Sequence, residues 1–338
     1  MNLNNLTKAL KDQPPFRLKQ AKEAIFKQLI ENWSQALNLP SGLREKLNNE
    51  YPLAIKAQIS ESKDKKSVKA LIYLRDGLKI ESVLLRHEDR NTVCLSSQVG
   101  CALGCLFCAT GQLGFRRNLD EGEIIEQVLV FNRYLKTLGE KVHNLVFMGM
   151  GEPFLNYGNV IGAIKKINSK ETFNIGWRHI SISTIGIPEG IRKLVKENLQ
   201  VNLAVSLHAP NDDLRSQIIP LNAKYPLKEI LKAVKYYLAE TNRRVMFEYI
   251  LIKGFNDQDS QARQLADLLA DLPKKLYLIN LILYNQSDFP KKKFLPSDKK
   301  QIEIFKRVLG RNKINVTERL RLGRGIQAAC GQLTSQNK

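Results

Sequence analysis

The sequence predicts an α/β fold: an open, partial (β/α)6 barrel, preceded by a small module of helices and a β-hairpin. Two patterns carry this expectation. From residue 92 onward, short apolar runs of strand length alternate six times with longer amphipathic stretches. Such alternation implies parallel strands joined by right-handed crossovers. Before that point the period differs, being helical over residues 1–50 and then alternating in twos on either side of Asp76-Gly77, a hairpin turn pair. Six repeats suit an open barrel better than a closed eight-fold one.

In the first fifty residues, Ala21, Ile25, Leu29, Ile30 and Trp33 form a stripe at helical spacing, with Pro14-Pro15 before it and Pro40 after. The aromatic on that stripe reads as core. Val68, Ala70, Ile72 and Leu74 then alternate with their neighbours, Asp76-Gly77 turn the chain, and residues 78–85 extend again. The expected barrel strands are 92–96, 144–148, 179–184, 202–207, 245–252 and 276–283. The expected helices are 121–138, 159–167, 189–197, 227–239, 259–272 and 297–309. A short strand near 314–317 leads to the tail 322–333. This divides the chain into an accessory domain (1–86), a core (87–322) and a C-terminal tail (323–338). No sequence repeat or low-complexity segment interrupts it.

A chain of 338 residues suffices for one large domain and a small one. The opening Met1-Asn2-Leu3-Asn4-Asn5 does not read as a secretory leader, and no apolar run reaches membrane-spanning length. A cytoplasmic protein with reduced thiols is expected, with no membrane association. The net charge of +20 implies a polyanionic partner, most often nucleic acid. Residues 290–325 hold twelve Lys/Arg against three Asp/Glu, so nine of the twenty excess charges lie there. The densest run is Lys291-Lys292-Lys293, and Arg319, Arg321 and Arg324 follow on the way to Cys330.

Four of the five cysteines lie between Cys94 and Cys108; the fifth is Cys330. Cys101, Cys105 and Cys108 follow a C-x3-C-x2-C spacing. Thiolates are the usual ligands of iron–sulfur clusters. Three of them bind three irons of a cubane and leave the fourth open to a substrate or cosubstrate. The competing reading is a four-sulfur structural zinc site that includes Cys94, although zinc sites usually pair two C-x2-C knuckles. Cys94 and Cys330 also read individually as small core residues.

Barrel active sites form at the C-terminal strand ends, and polar signals recur there. Gly149-Met150-Gly151-Glu152-Pro153 follows the second strand; its glycines allow close backbone approach and Glu152 is suited to accept from an ammonium group. Ser183-Thr184 end the third strand, Ser206-Leu207-His208 the fourth, and Asn285 follows the sixth.

Taken together, residues 94–111, 149–153, 183–186, 206–210 and 328–333 resemble the RlmN/Cfr family of radical S-adenosylmethionine (SAM) RNA methyltransferases. The resemblance runs from about residue 81 to 333, and the triad, the preceding cysteine and the Ala-Ala-Cys-Gly-Gln-Leu tail are specific to it. Pro153 after Gly151-Glu152 resembles the RlmN branch, which methylates adenine carbon-2 in 23S ribosomal RNA and in some members transfer RNA. The Cfr branch acts at carbon-8, and a radical SAM enzyme with a non-RNA substrate is the remaining enzymatic alternative. A zinc-stabilised RNA-binding module is the non-enzymatic one. The resemblance implies a 4Fe-4S cluster on Cys101, Cys105 and Cys108, and SAM contacts from Gly151, Glu152, Ser183, Ser206, Leu207, His208 and Asn285. It implies that Cys330 takes a methyl group from one SAM and that a second SAM yields the radical that activates it. Cys94 then releases methylated RNA by forming a disulfide with Cys330, a thiol-exchange step. Glu81 matches the family's proposed proton acceptor, and by position alone it is an ordinary hairpin glutamate. A flavodoxin- or ferredoxin-type electron donor and a monomeric state are also implied. One departure is Gly325, where the family usually has Asp.

Overall fold

The hairpin around Asp76-Gly77 is the start of one continuous sheet. The computed structural model describes residues 3–287, 294–319 and 322–335. Strands β1 (Ala57–Glu61), β2 (Ser67–Tyr73) and β3 (Lys79–Arg86) form an antiparallel meander, and β3 pairs antiparallel with β4 (Asn91–Cys94). The turn closes with Gly77 at φ 83°, donating from its N–H to the Leu74 carbonyl at 3.1 Å. β5 (Gln98–Gly100) and β6 (Phe115–Asn118) make a separate two-stranded sheet that brackets the cysteine-rich loop. The pattern reading missed this pair because each strand is only three or four residues long.

The remaining strands follow β4 in parallel and in chain order: β7 (Asn144–Phe147), β8 (Ile180–Thr184), β9 (Asn202–Ser206), β10 (Val245–Leu251), β11 (Tyr277–Leu283) and β12 (Val316–Glu318). All six expected barrel strands and the short seventh are present, with an expected helix between each pair from β4 onward. The sheet is open, with β1 and β12 as its edges. The first crossover helix, Glu121–Lys136, begins with a capping box in which the Asp120 side chain accepts from Glu123 N–H and the Glu123 carboxylate accepts from Asp120 N–H. Arg117 on β6 binds Glu123 and reaches Asp76 at 2.6 Å, tying the hairpin tip to that helix start.

The N-terminal stripe is only partly helical. Pro15 opens the helix Pro15–Phe26, as proline at the first turn favours, and the helix stops before Leu29, whose φ is 58°. Leu29, Ile30 and Trp33 therefore lie beyond it, with Trp33 in a separate 3-10 turn. Its ring is fully buried and its indole N–H donates to the Tyr51 carbonyl at 2.7 Å. Burial of a large aromatic outweighed the helical period here. The Lys291-Lys292-Lys293 run lies outside the described residues, as does Arg321. Among the described residues no helix is long and apolar enough to cross a membrane.

Candidate active site

A cavity of about 180 Å³ opens over the C-terminal ends of the parallel strands. Cys101, Cys105 and Cys108 line it from the loop after β4, and Gly151 and Glu152 from the loop after β7. Ser183, Ser206, His208 and Asn285 arrive from the next strand ends. Cys94, at the end of β4, and Cys330, on the tail, face the same space although the chain separates them by 236 residues. Leu207 is fully buried behind the wall, and Glu81 does not contribute to the wall at all.

Two glycines shape the cavity. A Cβ on Gly149 would sit 2.7 Å from the Leu95 carbonyl oxygen, so only glycine allows this loop to lie on the end of β4. Gly151 has φ 95°, and a Cβ there would meet the Gln98 side chain at 2.5 Å. Gln98 in turn accepts from Glu152 N–H at 2.9 Å.

Glu152 is 3 % exposed. Its carboxylate accepts from Phe154 N–H at 3.0 Å and Ile185 N–H at 2.8 Å. Burial nevertheless pushes its pKa up to about 7, against the pull of those two N–H groups. A buried carboxylate in this condition is stabilised by an incoming cation. His208 has φ 61°, accepts at Nδ1 from Ile250 N–H at 3.1 Å, and meets Phe107 edge-on at 4.8 Å between ring centroids. Burial first, then the nearby Arg215 charge, drives its pKa down to about 3, so the ring is neutral with its proton on Nε2.

All five cysteines are free thiols. Burial raises each of the three triad thiols, Cys101 to about 12 and Cys105 and Cys108 above their ordinary range. Cys94 is pushed up to about 12 by burial, opposed by Arg319. Cys330 is exposed, yet the tail and sheet around its sulfur still raise the thiol, and again Arg319 opposes. One half-buried cation thus acts on both cysteines outside the triad. Arg319 also donates from Nη1 to the Met148 sulfur at 2.8 Å. Sequence reading placed Arg319 in the basic density leading to Cys330; just past β12 its N–H donates to the Leu281 carbonyl at 2.9 Å and its side chain lines the cavity.

Arg215 and Glu248 were not singled out by sequence either. Arg215 is 1 % exposed and binds the carbonyls of Ile185, Ser206 and Leu207, joining the ends of β8 and β9. Glu248 on β10 lines the cavity, accepts from Asn280 at 3.0 Å, and keeps its other oxygen buried without a partner. Arg215 has no local signal, because a charged residue in a polar stretch reads as surface; Glu248 does have one, a lone carboxylate inside the apolar run 245–252. Gly325 sits in an exposed turn where an added Cβ would meet nothing within 4 Å, so the position has room for a side chain.

A profile of the radical SAM superfamily matches residues 95–266. A Dictyoglomus thermophilum protein named probable dual-specificity RNA methyltransferase RlmN is 46 % identical over 321 residues, covering 95 % of this chain and 91 % of its own. The chain belongs to the RlmN family of radical SAM methyltransferases. A Bacillus cytotoxicus relative of the same name is 40 % identical over 341 residues, covering 100 % of this chain and 93 % of its own. The crystal structure of a radical SAM methyltransferase from Sphaerobacter thermophilus superposes with a TM-score of 0.94 at 40 % identity, over 99 % of this chain and 98 % of that one.

Membership in the family brings a 4Fe-4S cluster and SAM as cofactors. The site fits both. Among the described residues no three His, Cys, Asp or Glu side chains are arranged to hold a single metal ion. The triad thiols instead line one wall of a shared cavity, as ligands to separate corners of a cluster must. Their high pKa values mean that they need a bound cation to ionise, which iron supplies. Glu152, poised for a cation, suits the ammonium of SAM.

Proposed function

We propose that this RlmN-family enzyme methylates carbon-2 of an adenosine in 23S ribosomal RNA, and also in transfer RNA. Cys330 is the methyl carrier, and two SAM molecules are used per turnover. The observation that carries the reading is the meeting of Cys94, Cys330 and the triad around one cavity. Support for an RNA substrate comes from the net charge of +20 and the relatives' names, and the dual specificity in those names supports two RNA classes. Residues 1–86 serve as the RNA-contacting accessory domain, 87–322 as the catalytic core and 323–338 as the tail. The protein works as a cytoplasmic monomer with a flavodoxin- or ferredoxin-type electron donor.

The chemistry follows from the residues. The adenine amidine carbon is electron-poor and does not displace a methyl group from sulfur. A thiolate does. Arg319 favours the Cys330 thiolate, whose sulfur bonds to the methyl as the sulfonium carbon–sulfur bond breaks. Cys101, Cys105 and Cys108 would hold the cluster, and Glu152 would hold the SAM ammonium. When bound, the cluster supplies the electron that cleaves SAM to a 5′-deoxyadenosyl radical. The methyl on Cys330 gives up one hydrogen atom to that radical, forming 5′-deoxyadenosine, and the carbon left on sulfur bonds to the ring carbon, linking RNA to protein; the adduct then loses the ring proton and one electron, which would return to the bound cluster. Cys94 then attacks the Cys330 sulfur. A disulfide forms as the carbon–sulfur bond breaks, and the proton lost by Cys94 completes the new methyl group.

The test is a pair of variants. Cys94→Ala is expected to stall with a covalent RNA adduct on Cys330, seen as a nuclease-sensitive shifted band on a denaturing gel. Cys330→Ala and the double variant are expected to give none. Mass spectrometry of the digested wild-type product should show 2-methyladenosine. Normal turnover by Cys94→Ala would overturn the two-cysteine route, and 8-methyladenosine would overturn the carbon-2 assignment.

A further inference from the structure

Glu81 is 1 % exposed on β3, on the sheet face that Val83 and Leu85 extend into the cavity wall. Both of its oxygens are engaged. Oε1 lies 2.8 Å from Lys69 Nζ, a diagonal cross-strand neighbour on β2. Oε2 accepts from the backbone N–H of Thr334 at 2.7 Å, across 253 residues of sequence. Thr334 stands four positions after Cys330.

The tail between them is also anchored at other points, among them Gln332 Nε2, which donates to the Gln286 carbonyl at 2.6 Å. Thr110 Oγ1 donates to the Leu333 carbonyl at 2.7 Å, Ala109 N–H to the Gly331 carbonyl at 2.8 Å, and Asn285 Nδ2 to the Cys330 carbonyl at 3.3 Å. Two of these anchors, Thr110 and Ala109, belong to the loop that carries the triad. Without Glu81, the sheet side of the tail loses its only charged acceptor among the described contacts. Glu81 has an ammonium on one oxygen and the tail backbone on the other.

We propose that Glu81, neutralised by Lys69, is a positioning residue that latches the C-terminal tail to the hairpin and so fixes Cys330 over the cavity. The catalytic consequence rests on Cys330 being the methyl carrier; the latch itself does not. A hydrogen bond to a charged acceptor is worth roughly a ten- to hundredfold change in an opening equilibrium.

The experiment measures amide hydrogen exchange of the cluster-loaded, full-length protein by mass spectrometry. In Glu81→Ala, the peptide spanning 322–335 should exchange at least about tenfold faster, while the helix Leu227–Thr241, remote from the tail, is unchanged. Thr334→Pro, which removes the donor and leaves Glu81 in place, should do the same. Glu81→Gln keeps an acceptor oxygen for Thr334 but cannot take a proton, so it should retain most of the tail protection and lose less than about tenfold in kcat. Unchanged tail exchange in both Glu81→Ala and Thr334→Pro would overturn the latch, whatever the fate of the methyl-carrier reading. Glu81→Gln with a protected tail and no turnover would overturn the positioning role in favour of the base. If Glu81→Ala fails to fold, the Thr334→Pro and Glu81→Gln results decide.

Discussion

Replacing Arg215 with Met is expected to destabilise the protein by about 3–4 kcal/mol. The guanidinium donates to the carbonyls of Leu207 (3.1 Å), Ile185 (2.6 Å), Ser206 (3.3 Å) and Tyr225 (3.3 Å), and to the Asn222 side-chain oxygen (2.7 Å). The three bonds at 3.1 Å or below count most, at about 1.5–3 kcal/mol each for a charged donor. Against them stands the cost of burying the charge, which brings the pKa from 12.5 down to about 10 and corresponds to about 3 kcal/mol. Met is apolar and of similar length, so it recovers that cost and some packing but leaves the acceptors unsatisfied. The net loss falls where removal of one member of a buried polar network usually does. Because the lost bonds tie Ile185 at the end of β8 to Ser206 and Leu207 at the end of β9, SAM affinity should fall at least about tenfold as well. The assays are urea unfolding by circular dichroism under anaerobic conditions and SAM binding by calorimetry. A Met variant within about 1 kcal/mol of the parent would refute the account, since it would mean that water or neighbouring groups replace all of those bonds.

Replacing Cys105 with Ala should abolish cluster loading after reconstitution, and full iron content in that variant would remove the triad as ligands. The His208 pKa of about 3 lies below its ordinary 6.5, so between those values the unfolded chain binds a proton that the folded chain refuses. Stability of the cluster-free protein should therefore fall as pH drops through this window, by about 2 kcal/mol at pH 5. His208→Asn, which tolerates the left-handed backbone, should flatten that slope in thermal melts.

Much of the barrel was legible because strand and helix periods are local. Each crossover helix buries one apolar stripe and each of the six barrel strands contributes a short run with buried apolar residues, so the six repeats could be counted along the chain. The triad was legible for the same reason, since its three thiols are close in sequence and their spacing is itself the signal. The N-terminal stripe misled because Leu29, Ile30 and Trp33 keep helical spacing while the backbone turns at Leu29. A period reports only where apolar groups recur, and Trp33 found its burial outside the helix.

The sequence by itself determined the order of the barrel strands and crossover helices, the cysteine-rich loop and the family. Tertiary structure decided which charges are buried. Arg215 is indistinguishable in sequence from a surface residue, and only the packing of the strand ends turns it inward, where low polarity multiplies its effect on neighbouring groups. It also decided how Cys94 and Cys330 come to share a cavity, and how Glu81 comes to hold Thr334 across 253 residues. Such pairings depend on the closure of the whole sheet, and no local pattern encodes them.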